Sequence, residues 1–385
     1  MDLLSKEAYI SKDWFDIEMK YIFNNSWQFL CFEEDLKNGE NKIFQIGNNN
    51  FIVLKEDNEF RAFHNLCRHR GVQALRVLGE NKKVINCPYH NWTYNLNGDL
   101  ITIPNEKKEF PNIEKCKLHL KKASIGKLKG MIFIHPDSIV DSFNNFIQDL
   151  LPFLGEHNPS ELIEYQEKKS EPIYTEIINT NWKIIVENYI DHYHLSHLHQ
   201  NTLNMYDHKN AKFGWAGFHY WFFEPLSKKY LENIEENSPY VLINHISKER
   251  LGAYVPWIFP NLGLSESEST WSIFHLTPIS PSKTKITVRT KIMNVSNKEH
   301  RKQYSKSYYS NFWKKYDIKS KSDNPLESND FMKEDIYICE QQQKAMYSDY
   351  FSIGAYAEKG EFAIKKFQNN ILKWIEIQKN KELLK

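Results

Sequence analysis

The sequence has no run of 18 apolar residues, so no membrane-spanning helix is expected. Its first six residues are too polar for a secretory leader. No charge excess is present either: 50 basic residues face 49 acidic ones, which gives no electrostatic case for nucleic acid. A disulfide framework is not expected, because the five cysteines are odd in number and Cys31, Cys116 and Cys339 are scattered. Internal repeats and low-complexity domains are lacking. What remains is a chain of 385 residues, long enough for two or three domains with sizeable cores. A soluble cytoplasmic enzyme fits, with no nucleic-acid or membrane partner.

The chemistry is concentrated first in two short clusters, Cys67-Arg68-His69 and Cys87-Pro88-Tyr89-His90, with seventeen residues between His69 and Cys87. Two thiolates and two imidazoles make a four-ligand set for zinc or for a [2Fe–2S] cluster. A zinc finger of the two-cysteine, two-histidine type puts both cysteines in one arm. Here each arm carries one of each, so two loops can clamp a cluster from both sides. Two unrelated pairs, or a zinc ribbon, are the bland alternatives.

Gly71 follows the first arm, and Asn91-Trp92-Thr93-Tyr94-Asn95-Leu96-Asn97-Gly98 follows the second. The whole resembles the Rieske motif of the ring-hydroxylating oxygenase alpha subunits. The resemblance implies that Cys67, His69, Cys87 and His90 hold a [2Fe–2S] cluster. One departure is Asn91, where the family usually has Gly. Asn is the side chain that best tolerates the left-handed conformation, so the loop is expected to keep its shape.

A second constellation spans 181–199, with His192, His194, His197 and His199 in eight residues behind Glu187 and Asp191. Two His and one carboxylate with open positions is the non-haem Fe(II) arrangement. Spacing alone leaves the pair open. His194 and His197 share a helix face, whereas His194 and His199 lie roughly 140° apart and need a break or a π-bulge to converge. A zinc site or a His-rich solvated helix is the alternative. Similarity to the same family implies Asn188, Asp191, His194 and His199, with both histidines on iron. Asp191 is then a bridge from a metal-ligand His to a Rieske His, expected at His90 across a subunit interface. By the same likeness, Asp335 in 331–343 supplies the carboxylate, Glu334 faces away, Glu340 orders the helix by hydrogen bonds, and Cys339 is a small packing residue.

The remaining sequence gives the frame. Residues 7–30 read as one or two amphipathic helices. From about Gly39, short β-rich runs are broken by turn residues, and Asn97-Gly98-Asp99 reads as a hairpin turn. His64, His119 and His135 are expected to be structural. Residues 138–165 look helical, 271–276 and 285–292 alternate as strands, and 362–377 has apolar residues at helical spacing. The expected organisation is N-terminal helices over 1–37 packing on the catalytic domain, an antiparallel β Rieske domain over 38–140, and a mononuclear iron domain over 141–385. The fold class is α+β. In the family the last domain is a helix-grip fold, START/Bet v1-like, with a curved antiparallel sheet.

The resemblance further implies an oxygenase component. A reductase partner, using NAD(P)H directly or through a ferredoxin, supplies electrons. O2 then hydroxylates or demethylates a small organic substrate, an aromatic one being the commonest choice in the family. A homotrimer is expected. A quaternary ammonium substrate held in a Trp/Tyr cage is the alternative. A non-catalytic Rieske redox or binding protein is the third reading.

Overall fold

The computed structural model describes residues 4–75, 83–165, 173–200, 202–308 and 323–384. The chain divides into two compact units, Met19–Phe146 and a discontinuous one made of Met1–Glu18 with Ile147–Lys385. Among the described residues no helix is long and apolar enough to cross a membrane.

The Met19–Phe146 unit is built on a six-stranded antiparallel sheet. Its order is Gln28–Phe32, Met131–His135, Lys122–Leu128, Glu59–His64, Asn49–Glu56, Asn41–Ile46. A second sheet of three short strands, Val84–Asn86, Thr93–Asn95 and Leu100–Thr102, carries one of the Cys/His loops. Its hairpin turns at Asn97-Gly98 as expected. Gly98 sits at φ 85°, and the Asn95 side-chain oxygen accepts from the Asn97 and Asp99 amides at 2.9 Å. Phe63, Trp92 and Tyr94 are buried in one core beneath this sheet, together with Cys67 and Cys87. His64, His119 and His135 are structural: each ring nitrogen meets a backbone group, at 2.8, 3.2 and 3.0 Å.

Two expectations change here. Residues 28–30 form the start of a strand, not helix, because Gln28–Phe32 pairs with Met131–His135. A continuous apolar run such as Phe29-Leu30-Cys31-Phe32 fits either element by periodicity. This pairing draws the start of the unit to Met19 instead of residue 38. Helix is confined to Glu7–Ile10, Lys12–Glu18 and a π-turn at Met19–Phe23. Leu118-His119-Leu120, which alternates as a strand would, is not one; the sheet is extended by Lys122–Leu128 instead.

The larger unit is a nine-stranded antiparallel sheet with helices. Its long hairpin, Thr270–Ser280 with Lys283–Met293, takes Ile173–Ile178 and Leu162–Glu164 on one side and Leu262–Glu266 on the other. The 138–165 stretch holds only the short helix Phe143–Ile147 and two 3-10 turns before its strand. Helix Trp182–Ile190 starts where the Asn181 side chain accepts from the Lys183 amide, an N-cap. Helix Phe331–Met346 is capped the same way by Asp330. Helix Phe362–Leu383 lies against both the first helix and the sheet. Phe367 meets Trp182 edge-on, and Trp374 packs on Phe218 and Phe259 at 4.9 and 4.8 Å. The α+β class holds.

A buried polar network fastens the N-terminal helices to this unit. Lys183 Nζ lies 2.6 Å from Glu18 Oε1 with both side chains fully buried, and the Trp182 indole N–H donates to the other Glu18 oxygen at 2.9 Å. Beside it, Glu187 accepts from the Tyr9 hydroxyl at 2.5 Å and from Gln368 at 2.9 Å. Burial pushes the Glu187 carboxyl up to about 7. Glu18→Ala would strand the Lys183 ammonium, and breaking a buried pair costs about 3–5 kcal/mol. The expected result is that loss in unfolding free energy, measured by chemical denaturation.

Candidate functional site

The two Cys/His loops have the same backbone design. The Cys67 amide donates to Val72 O at 2.8 Å, and the Gly71 amide to Cys67 O at 2.9 Å. In the second loop the Cys87 amide donates to Trp92 O and the Asn91 amide to Cys87 O, both at 2.9 Å. Gly71 and Asn91 occupy equivalent left-handed positions, φ 73° and 56°. Asn91 therefore takes the conformation the departure from Gly required.

This repeated turn buries both thiols and leaves His90 exposed and His69 half-buried. The two Nδ1 atoms approach to 3.1 Å. Burial holds the Cys87 thiol above its ordinary range, and the neighbouring Cys67 adds to this. His69 stacks on Trp92 at 4.7 Å. Burial, then the neighbouring His90 and Arg70, hold the His69 imidazolium below its ordinary range, which keeps a lone pair available. Two sulfurs on one side and two ring nitrogens on the other fit a Rieske [2Fe–2S] cluster.

Tyr94 was not singled out by the sequence, yet its hydroxyl lies 3.3 Å from Cys67 Sγ and accepts from the Arg68 amide at 3.0 Å. A hydrogen bond to a cluster sulfur favours the reduced, more negative state. Tyr94→Phe is expected to lower the midpoint potential by roughly 40 mV, the equivalent of one hydrogen bond of about 1 kcal/mol. A redox titration of the cluster spectrum measures it.

In the larger unit, helix Trp182–Ile190 ends at Asp191, whose ψ of 116° is extended. A new turn, Leu195–Leu198, starts after His194 and finishes at His199. The break therefore lies before His194 and not between the two histidines. His199, at φ −103° and ψ 29°, leaves the helical region. The two imidazoles thus face each other at 5.1 Å despite their spacing.

His194, His199 and Asp335 offer ligand atoms that all lie within 4.8 Å of one another. Asp335 Oδ1 is 3.1 Å from His199 Nε2 and 3.6 Å from His194 Nε2, and accepts from Asn188 Nδ2 at 3.2 Å. The opposite ring nitrogens are held by other carboxylates. His194 Nδ1 lies 3.0 Å from Asp191, and His199 Nδ1 lies 2.7 Å from Glu334. A carboxylate on Nδ1 fixes the tautomer that presents the Nε2 lone pair. Burial pulls the His199 imidazolium down, but Asp335 and Glu334 outweigh it and the balance is raised. Two imidazole nitrogens and one carboxylate converging this way suit Fe(II).

Glu334 overturns an expectation. It does not face away; it is buried and accepts from Thr202 as well as pairing with His199. Its removal should loosen His199 without deleting a ligand. Glu334→Gln is expected to weaken iron affinity about 10–100-fold, the usual effect of an outer-shell partner, as measured by chelator competition. Glu340 accepts from the Asn179 amide and side chain, so it ties the helix to the end of a strand. Cys339 is a buried packing residue, as expected. Of the surplus histidines, His197 is exposed, and the His192 ring lies tilted against Phe213 at 4.1 Å.

Residues 159–377, more than half of the chain, match the family model described as ring hydroxylating alpha subunit (catalytic domain). The chain belongs to this family. Residues 26–123 match the Rieske [2Fe-2S] domain, so the protein's cofactors are a Rieske cluster and a mononuclear iron. Among its relatives, the anthranilate 1,2-dioxygenase large subunit of Acinetobacter baylyi is 29% identical over 212 residues, 54% of this chain and 44% of that protein. The carnitine monooxygenase oxygenase subunit of Escherichia coli is 32% identical over 193 residues, 50% of each. The chain thus spans about half the length of these curated relatives. Two solved structures share the fold at 18% identity and a TM-score of 0.68. One is a quaternary ammonium Rieske monooxygenase with L-carnitine, covering 97% of this chain and 95% of that one. The other is Rhodococcus naphthalene 1,2-dioxygenase with indole, covering 98% and 94%.

Proposed function

We propose that the protein is the oxygenase component of a Rieske non-haem iron oxygenase that hydroxylates or demethylates a small aromatic substrate. The observation that carries this reading is the convergence of His194 Nε2, His199 Nε2 and one Asp335 oxygen, with both histidines oriented by further carboxylates. Cys67, His69, Cys87 and His90 would hold the [2Fe–2S] cluster, and His194, His199 and Asp335 the iron. When bound, the cluster stores single electrons and the iron activates O2. Asn188 holds the Asp335 carboxylate in place. Asp191 fixes the His194 tautomer, and by family resemblance links it to the cluster histidine of a neighbouring subunit. An NAD(P)H-dependent reductase, with or without a ferredoxin, is the proposed partner, and a homotrimer in the cytoplasm the proposed state.

Relatives and fold neighbours that act on carnitine favour a second reading, a quaternary ammonium monooxygenase. Against it, the bridging acid is Asp191, whereas some ammonium-oxidising relatives carry Glu. Substrate-stimulated oxygen uptake with a generic reductase separates the two. Stimulation by aromatic compounds but not by L-carnitine supports the first reading; the reverse overturns it. Three irons per chain support an enzyme, whereas two would point to a redox module.

A further inference from the structure

Three buried polar atoms close to the His194 turn have no hydrogen-bond partner among the described residues: His192 Nδ1, Trp215 Nε1 and the Tyr220 hydroxyl. They belong to one patch. Strand Lys212–Ala216 pairs with His219–Pro225 in a register that sets Phe213 opposite Phe222 and Trp215 opposite Tyr220. Directly opposed residues, and alternate residues along a strand, share a face. The four aromatics therefore form one wall. His192 closes it, its ring 4.1 Å from Phe213, while Tyr220 lies 5.6 Å from Trp215 and 6.4 Å from Phe213.

Packing alone does not account for this wall. The indole N–H and the phenol O–H are donors, and the His192 nitrogen takes either role by tautomer. A buried polar atom left unpaired is costly, so three in one place point to a ligand that supplies their partners. The wall also adjoins the proposed iron site. His192 is two residues from His194, and Asp191, which holds His194, is one of the two charges felt by the Tyr220 hydroxyl. The other is Glu224. Both are carboxylates.

We propose that His192, Trp215 and Tyr220 are the specificity-determining end of the substrate site, and that the substrate is an uncharged aromatic compound bearing a hydrogen-bond acceptor. This rests on the oxygenase reading above. The Phe213 and Phe222 faces take a ring, and the indole and phenol protons take an oxygen of carbonyl or amide type. Asp191 repels an aromatic acid, whereas Glu224 is paired with His208 at 2.5 Å. A quaternary ammonium head accepts no hydrogen bond, and a carboxylate on the same molecule meets the repulsion that an aromatic acid meets.

The test is direct binding to the anaerobic, metal-loaded protein by saturation-transfer NMR and calorimetry. The probes are benzamide, benzoate, toluene and L-carnitine. Benzamide is expected to bind at least about tenfold more tightly than the other three. Tyr220→Phe, Trp215→Phe and His192→Phe are each expected to weaken benzamide by on the order of tenfold while leaving toluene unchanged. Tyr220→Phe removes a single oxygen atom, and unchanged circular dichroism and iron content establish that it folds. Benzoate binding as tightly as benzamide, or benzamide binding unaffected in all three variants, overturns the proposal. If toluene binds best, with no response to the variants, this inference fails and the aromatic reading stands. Binding of L-carnitine alone overturns both.

Discussion

Replacing His194 with alanine is expected to abolish turnover while the visible spectrum of the [2Fe–2S] cluster survives. The two metal sites draw on separate stretches of chain: the cluster loops lie in Met19–Phe146, and His194 lies in the other unit. Loss of the imidazole removes one of the three converging ligand atoms and leaves His199 and Asp335 alone. The effect should exceed the about 100-fold that follows removal of an outer-shell partner. Two measurements on one sample check it, substrate-dependent oxygen uptake and the absorption spectrum. Disappearance of the spectrum would mean that His194 serves the cluster and that the ligand assignment is wrong.

Asp191→Asn is expected to leave the iron bound but to stop electron transfer between the centres. In the structure Asp191 receives the His194 Nδ1 proton at 3.0 Å, and its other oxygen accepts from the Tyr193 amide at 2.7 Å. An amide of the same shape can keep one of these contacts but carries no charge to stabilise the ring proton. Iron affinity should fall by no more than the about 10–100-fold expected at Glu334, so iron supplied in excess stays bound. Cluster oxidation in a single turnover, followed by stopped-flow absorbance, should slow by at least about 100-fold, at the upper limit for an outer-shell change. Oxidation at the normal rate would refute the role.

Both sets of proposed ligands were legible because they are short patterns of uncommon residues. Asn91 could even be assigned its backbone conformation from chemistry alone, since few other side chains sit at a positive φ. Glu334 was misread for a geometric reason. Neighbours on a helix diverge by about 100°, which suggested that only one of Glu334 and Asp335 could serve the site. An imidazole, however, has nitrogens on opposite edges, and His199 receives Asp335 on one and Glu334 on the other. Position 28–32 was ambiguous because a run buried on both faces shows no alternation. Tyr94 and the Glu18–Lys183 pair carry no local signal at all, for their partners lie far along the chain.

The chain leaves the larger unit after Glu18 and returns to it at Ile147. Tyr9 waits for Glu187 and Gln368, and the Leu4 amide waits for the Gln368 side chain. Domains fold as units during synthesis, the earlier ones first. The Cys/His loops, complete within one unbroken stretch, can close while the ribosome is still working. The histidine and aspartate triad needs a longer stretch, because Asp335 emerges 136 residues after His199. The proposed cluster loops can therefore be complete in a chain whose proposed iron ligands have not yet come together.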